Sequence, residues 1–161
     1  MSRAFVKEDD GSRPEVLPEL PVSSLPNLVT ARGLRLIAAK IAELEAALEA
    51  SPDEEHAARL RRDLRYWTVR HATARLTVPD TADPAVQFGS RVTYRTEAGE
   101  TRTVTLTGED EADPATGRIA YAAPVARALT GATAQSSVTL VLRGQPVELE
   151  VLEVEVPADE G

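Results

Sequence analysis

The hydrophobic repeat of this chain changes period partway along, and that change limits the folds open to it. From Leu34 to Ala74 the apolar residues recur every three or four positions; from Val92 onward they alternate. The first spacing lays a stripe along a helix, and the second loads one face of a strand. Leu34, Ile37, Ile41, Leu44 and Leu48 make one helical seam; Ala57, Leu60, Leu64, Trp67, His71 and Ala74 make another. Only a short break at Ser51-Pro52 separates them. Two narrow seams so close together predict a tight antiparallel helical hairpin, a coiled-coil pair with arms of about twenty residues, roughly 30 Å each. Thr30 is the expected N-cap of the first arm. Ser51 is the expected N-cap of the second, with Pro52 at the first helical position and Glu54 as the capping-box glutamate.

After the change of period, Val92–Thr96 and Thr103–Leu106 flank Glu97-Ala98-Gly99-Glu100, a hairpin turn supplied with a glycine. A third strand is expected at 118–121. A short helix should start at Pro124, run to Leu129 and close at Gly131. Two last strands, 138–142 and 147–156, meet at a turn over 143–146. A phase shift between Val151 and Val154 predicts a bulge in the final strand. The fold class is therefore α+β: a helical hairpin over 29–77, a linker over 78–85, and an antiparallel sheet domain with one short helix over 86–157. Residues 1–28, with Pro14, Pro18, Pro21 and Pro26, should form an extended or disordered leader. Val6, Val16, Leu17 and Leu20 would let part of it lie along a groove.

Charge narrows the function. The formal net charge of −8 argues against freestanding DNA or RNA binding, which needs a basic footprint. A protein partner with a basic surface stays open. The absence of cysteine removes disulfides, thiolate zinc sites and cysteine nucleophiles. No run of about 18 apolar residues exists to span a membrane, and the first residues lack the apolar stretch of a signal peptide. A cytoplasmic location is expected.

Few residues suggest chemistry. Asp53, Glu54 and Glu55 sit at the hairpin tip, where clustered carboxylates can share a magnesium ion. Acids in a first helical turn also stabilise the helix by themselves. The second arm carries Arg59, Arg61, Arg62, Arg65, Arg70 and Arg75. These fit either ion pairs across the hairpin to Glu43, Glu45 and Glu49, or a basic face for a partner. His56 and His71 lie at opposite ends of one helix and cannot share a metal; His71 falls on the seam beside Trp67. No Ser-His-Asp set, P-loop or zinc motif is present. The acidic run Glu109 to Asp113 reads as a polar turn, and Arg127 faces outward if Val125 and Leu129 face in.

Several runs together resemble the GreA/GreB family of bacterial transcript-cleavage factors. Val86-Gln87-Phe88-Gly89-Ser90-Arg91-Val92 is similar to the strand that opens that family's C-terminal domain. Gly108 to Asp113 is similar to its Gly-Asp-Asp-Glu-Ala-Asp turn, and Pro124 to Leu129 to the helix that follows. The resemblance implies an FKBP-like sheet domain that docks on the rim of the RNA polymerase secondary channel. It places Asp110, Glu111, Asp113, Pro124 and Arg127 in or beside the docking surface. The family's serine before the proline is Ala123 here.

In the cleavage factors an Asp-x-x-Glu pair at the hairpin tip positions magnesium shared with the polymerase. Here Asp53 matches the aspartate, but His56 stands three residues later. Each arm is also shorter than the family's by roughly ten residues, about 15 Å of helix. The resemblance thus implies an accessory elongation factor, not an enzyme in its own right, with RNA polymerase as partner and at most indirect contact with nascent RNA. Within it stand two mechanisms: stimulation of transcript cleavage in backtracked complexes, or occupation of the channel without cleavage, as in Rnk-type relatives. A different class, an FKBP-like prolyl isomerase or peptide-binding module, would need an aromatic pocket, and the sheet domain offers only Phe88, Tyr94 and Tyr121.

Overall fold

A computed structural model describes residues 16–158. The expectations for residues 1–15 lie outside the described residues. Residues 16–27 carry no helix or strand, in keeping with their prolines. Strand β1 (Leu28–Val29) leads into helix α1 (Ala31–Glu49), helix α2 (Glu54–Thr73) and strand β2 (Arg75–Leu76). Strands β3 (Arg91–Thr96), β4 (Thr101–Thr107) and β5 (Arg118–Ala120), helix α3 (Pro124–Leu129), and strands β6 (Ser137–Leu142) and β7 (Gln145–Glu155) complete the α+β fold. Between β4 and β5 lie two single 3-10 turns, Glu109–Glu111 and Pro114–Thr116.

The seams form as the spacing requires. Ile37 and Leu44 on α1 are buried with Ala57 and Leu60 on α2, while Leu34, Ile41 and Leu48 are half-buried. Thr30 caps α1, its hydroxyl accepting the Gly33 N–H at 2.9 Å. The second cap is not where the sequence suggests. Ser51 still belongs to the end of α1, since its N–H donates to the Leu48 carbonyl. The α2 N-cap is Asp53, whose Oδ1 accepts the His56 N–H at 2.8 Å. The seam of α2 also ends differently. Arg70 is buried and His71 exposed. Positions three and four beyond Trp67 compete for the stripe, and packing against the Glu109–Glu111 turn selects the third.

At the base of the hairpin β1 and β2 pair in parallel, Leu28 with Arg75 and Val29 with Leu76. The remaining strands form one sheet in the order β5-β4-β3-β7-β6. The sheet is mixed rather than antiparallel, because β5 runs parallel to β4. Segment 108–117 carries the chain back to the same end of the sheet before β5 begins, as a parallel neighbour requires. The expected bulge is present. Thr93 pairs with Glu153 and Tyr94 with Val151, leaving Leu152 as the extra residue. The β6–β7 turn is a two-residue one, Arg143 and Gly144 both at positive φ (50° and 76°), the conformation that suits the sheet's twist.

Alternate residues of the strands then supply the core: Val92 and Tyr94 from β3, Leu106 from β4, Leu149 and Val151 from β7. Helix α3 crosses to pack on β6 and adds Ala126 and Leu129. Each of the valine and leucine side chains contributes about 1.5–3 kcal/mol on full burial. Tyr94 is the one aromatic in this core, so the packing rests on aliphatic side chains.

Gly108 marks where the sheet domain meets β1. Its φ of −67° suits any residue, so conformational freedom does not explain it. A Cβ there would stand 2.4 Å from the Leu28 carbonyl oxygen, a backbone atom that cannot step aside alone. Gly108→Ala is expected to destabilise by about 1–3 kcal/mol, the usual cost of overpacking. Urea unfolding at neutral pH measures it; a change under 0.5 kcal/mol would contradict the close approach.

Candidate functional site

The acidic turn after β4 does two opposite things. Glu109, Asp110 and Glu111 turn toward the hairpin, and Asp113 turns to solvent. Arg70, only 2% exposed near the end of α2, donates from Nε to Asp110 Oδ2 at 2.5 Å. Its Nη2 lies 3.7 Å from Glu109 Oε2. The Tyr66 hydroxyl, one turn earlier, donates to the other Asp110 oxygen at 2.6 Å. Tyr66 and Arg70 are four apart and share a helix face, so one carboxylate bridges both. Burial first, and then the hydrogen bond to Asp110, push the Tyr66 hydroxyl from its usual 10.0 up to about 12.

Glu111 makes the matching joint at α1. The Thr30 hydroxyl donates to its Oε2 at 2.6 Å while accepting the Gly33 N–H, so one hydroxyl caps the helix and holds the turn. Arg32 Nη1 donates to Oε1 at 3.1 Å. A Cβ at Gly33 would lie 2.7 Å from Glu111 Oε2 and would displace that carboxylate. Residues 16–27 are held beside the same joint. Asn27 Nδ2 donates to the Arg70 carbonyl at 2.7 Å. The Tyr121 hydroxyl donates to the Pro26 carbonyl at 2.6 Å. Glu19 takes Arg65 at 2.6 and 3.0 Å, which holds its carboxyl below the usual range.

Asp110 and Glu111 are therefore engaged in positioning the hairpin. The other three candidate residues face outward. Asp113 is exposed, and its backbone pairs with Arg118 at the mouth of β5. Pro124 starts α3, and Arg127 is exposed because Ala126 and Leu129 take the inward face; Val125 is only half-buried. Ala123 stands at the N-cap of α3, and no side chain caps that helix.

At the hairpin tip the three acids point to separate tasks. One Asp53 oxygen caps α2, Glu54 accepts from Arg61 at 2.6 Å, and Glu55 pairs with Arg59. Among the described residues no three acidic or histidine side chains are grouped so as to hold a metal ion by themselves. The arginines of α2 do not bridge to Glu43, Glu45 and Glu49. Arg59, Arg61 and Arg62 pair within α2, Arg65 with Glu19, and Arg70 with the 109–110 turn; Glu43 pairs with Lys40 on its own helix. Of the aromatic residues in the sheet domain, Tyr94 is buried in the core, and Phe88 and Tyr121 pack edge to face at 5.7 Å.

Comparison with known proteins bears on the same region. The family profile described as "Transcription elongation factor, GreA/GreB, C-term" matches residues 80–156. Transcription elongation factor GreA of Legionella pneumophila is 34% identical over 110 residues, 63% of this chain and 69% of the relative. GreA of Pseudomonas aeruginosa is also 34% identical, over 109 residues, with the same shares. The chain belongs to the GreA/GreB family. Among solved structures, GreA factor homolog 1 of Thermus thermophilus is 15% identical and aligns with 81% of this chain and 99% of its own, with a TM-score of 0.40. The GreA/GreB factor of Nitrosomonas europaea is 22% identical, with shares of 79% and 97% and a TM-score of 0.39.

As a GreA/GreB-type transcription elongation factor, the chain is an accessory factor of transcription. The profile spans Asp110, Glu111, Asp113, Pro124 and Arg127 and leaves the hairpin tip outside it. No helix among the described residues is long and apolar enough to cross a membrane. Tyr66, Thr30 and Arg32, which help lock the joint, were not among the residues singled out for function, and Arg70 was named only with the other arginines of the second arm. One signal was readable: an arginine three residues from Trp67, at the rim of an apolar seam, answering an acidic run in the other half of the chain.

Two expectations test the division. Asp110→Ala strands a buried guanidinium and should cost about 3–5 kcal/mol of unfolding free energy, whereas Asp113→Ala should stay within about 0.5 kcal/mol; equal effects in urea unfolding would refute it. Because the Tyr66 pKa is raised on folding, its contribution is complete below pH 10 and disappears as pH rises toward 12. Tyr66→Phe should flatten the fall in stability over that window, measured by urea unfolding at stepped pH.

Proposed function

We propose that this factor docks on RNA polymerase at the rim of the secondary channel through its FKBP-like sheet domain, with Asp113, Pro124 and Arg127 in the contact surface. Its hairpin, packed as a short coiled coil, then occupies the channel without delivering a second magnesium ion to the active centre. The factor acts in the cytoplasm as a regulator of elongation that competes with longer factors. One observation carries this reading: the tip carboxylates are taken up by a helix cap and by two arginines. The geometry of the arms supports it. Helices of 19 and 20 residues are about 28–30 Å long. A tip that ends short of the reacting phosphate contributes nothing, since even ~1 Å of misplacement matters to a catalytic group.

Asp110 and Glu111 enter this reading as positioning residues. They hold the hairpin at one angle to the docking domain and so set where the tip ends.

The test is transcript shortening in backtracked RNA polymerase complexes supplied with magnesium. The expected result is no acceleration by this factor alone, with loss of acceleration when it is added to a long-hairpin cleavage factor. Competition should weaken at least tenfold in Arg127→Glu, whose substitution lies on an exposed helix face. Faster shortening that disappears in the combined Asp53→Ala, Glu54→Ala and Glu55→Ala variant would establish the cleavage-stimulating mechanism instead.

A further inference from the structure

We infer that strand β6 is a docking edge for an extended, basic segment of a partner protein, which adds to the sheet as a further strand. β6 lies at one end of the five-stranded order, and its sequence Ser137-Val138-Thr139-Leu140-Val141-Leu142 contains no charge, proline or glycine. Exposed edges are usually blunted by lysine, proline, a bulge or a covering segment, because their backbone groups invite another strand. The opposite edge is closed in that way. Arg118 on β5 exchanges backbone hydrogen bonds with Asp113 at 2.9 and 3.1 Å. Among the described residues nothing closes β6 likewise: it pairs with β7 on one side, and α3 packs on its face.

The open backbone groups follow from the register. The two-residue turn makes Leu142 and Gln145 a hydrogen-bonded pair. Such pairs alternate along antiparallel strands. Leu142, Leu140 and Val138 therefore turn their backbone groups to β7, and Val141, Thr139 and Ser137 turn theirs outward. The Val151 N–H donates to the Ser136 carbonyl at 2.8 Å, in the same phase. Apolar surface accompanies this edge: Val141 is 63% exposed and Leu142 45%, one on each face of the strand.

Charge selects the partner. Ser137 stands in register with Glu150 on β7, and Thr139 with Glu148. Glu150 pairs with Arg95 at 3.5 Å. Glu148 and Glu97 are exposed and have no ion pair among the described residues. They are neighbours, since the Glu148 N–H donates to Glu97 Oε1 at 3.2 Å. An added strand would lie two strand spacings from β7, about 10 Å. Lysine or arginine side chains opposite Ser137 and Thr139 can cross those short residues to the unpaired carboxylates. Apolar side chains opposite Val141 and Leu142 would cover them. In strand addition the main chain supplies affinity and alternate side chains supply specificity. A second copy of this chain offers the same uncharged strand, but it brings the same unpaired acids and a net charge of −8, so like charge opposes that pairing.

The test titrates the isotope-labelled full chain with a capped eight-residue peptide of alternating lysine and valine and, separately, with the same peptide carrying glutamate for lysine. Saturable binding of the lysine peptide at millimolar or lower concentration is expected, and none of the glutamate peptide. Backbone amide shifts should gather at residues 136–142. Deuterium exchange at the Ser137, Thr139 and Val141 amides should slow at least tenfold on binding, a reading that needs no variant. Thr139→Pro removes an outward donor and no hydrogen bond to β7, so it should weaken binding at least tenfold. Glu148→Gln should weaken it at least threefold, and Glu155→Gln, the same change on β7 beyond the end of β6, should leave it unchanged. Equal binding of the glutamate peptide, shifts away from β6, or unchanged exchange at the three amides would overturn the proposal. So would self-association in sedimentation that Thr139→Pro abolishes, which would make a second copy the occupant.

Discussion

A guanidinium buried at the end of a helix organises this molecule. A guanidinium buried without a partner costs several kcal/mol, so the chain must bring Arg70 carboxylates. Asp110 does so directly and Glu109 at longer range, while Tyr66 holds the second Asp110 oxygen. For that turn to reach α2, Gly108 must pass against the Leu28 carbonyl, and Glu111 then falls beside Thr30 and Gly33. The helix cap of α1 and the turn after β4 thus become one structure. A hairpin with a narrow seam would otherwise be only loosely tied to the sheet.

This joint divides an acidic run that looks uniform. Three of its carboxylates face the hairpin and one faces water, a separation that follows from the 3-10 geometry of Glu109–Glu111 and the reversal at Asp113. Asp113 and one face of α3 are left exposed to solvent. The hairpin is held at its base, and the contacts that hold it lie far from its tip. At the tip itself the acids have local duties, which is what the first turn of a helix does with acids in the absence of a ligand.

Much of the fold was legible in the periods. The helical seams, the strands about Gly99 and Gly144, the short helix at Pro124 and the bulge at Leu152 each follow from a local pattern that chain geometry can read. The errors share a cause. Ser51 rather than Asp53 was the expected cap because both residue types cap well, and only the closing hydrogen bond of α1 to the Ser51 N–H excludes the first. His71 was expected on the seam; Arg70 takes that place because carboxylates forty residues away in sequence pair with it. The parallel β5 and the small β1–β2 pair left no local mark at all.

The sequence by itself therefore determined which segments are helix and strand, where they turn, and which family the molecule resembles, since these depend on neighbours within a few residues. Tertiary structure alone decided which acids serve the joint and which face water, where the second helix begins, and that Arg32, Arg91 and Arg118 line one cavity. Those outcomes depend on contacts between residues far apart in the chain. Strand register and the burial of one charge set them, and no local pattern carries either.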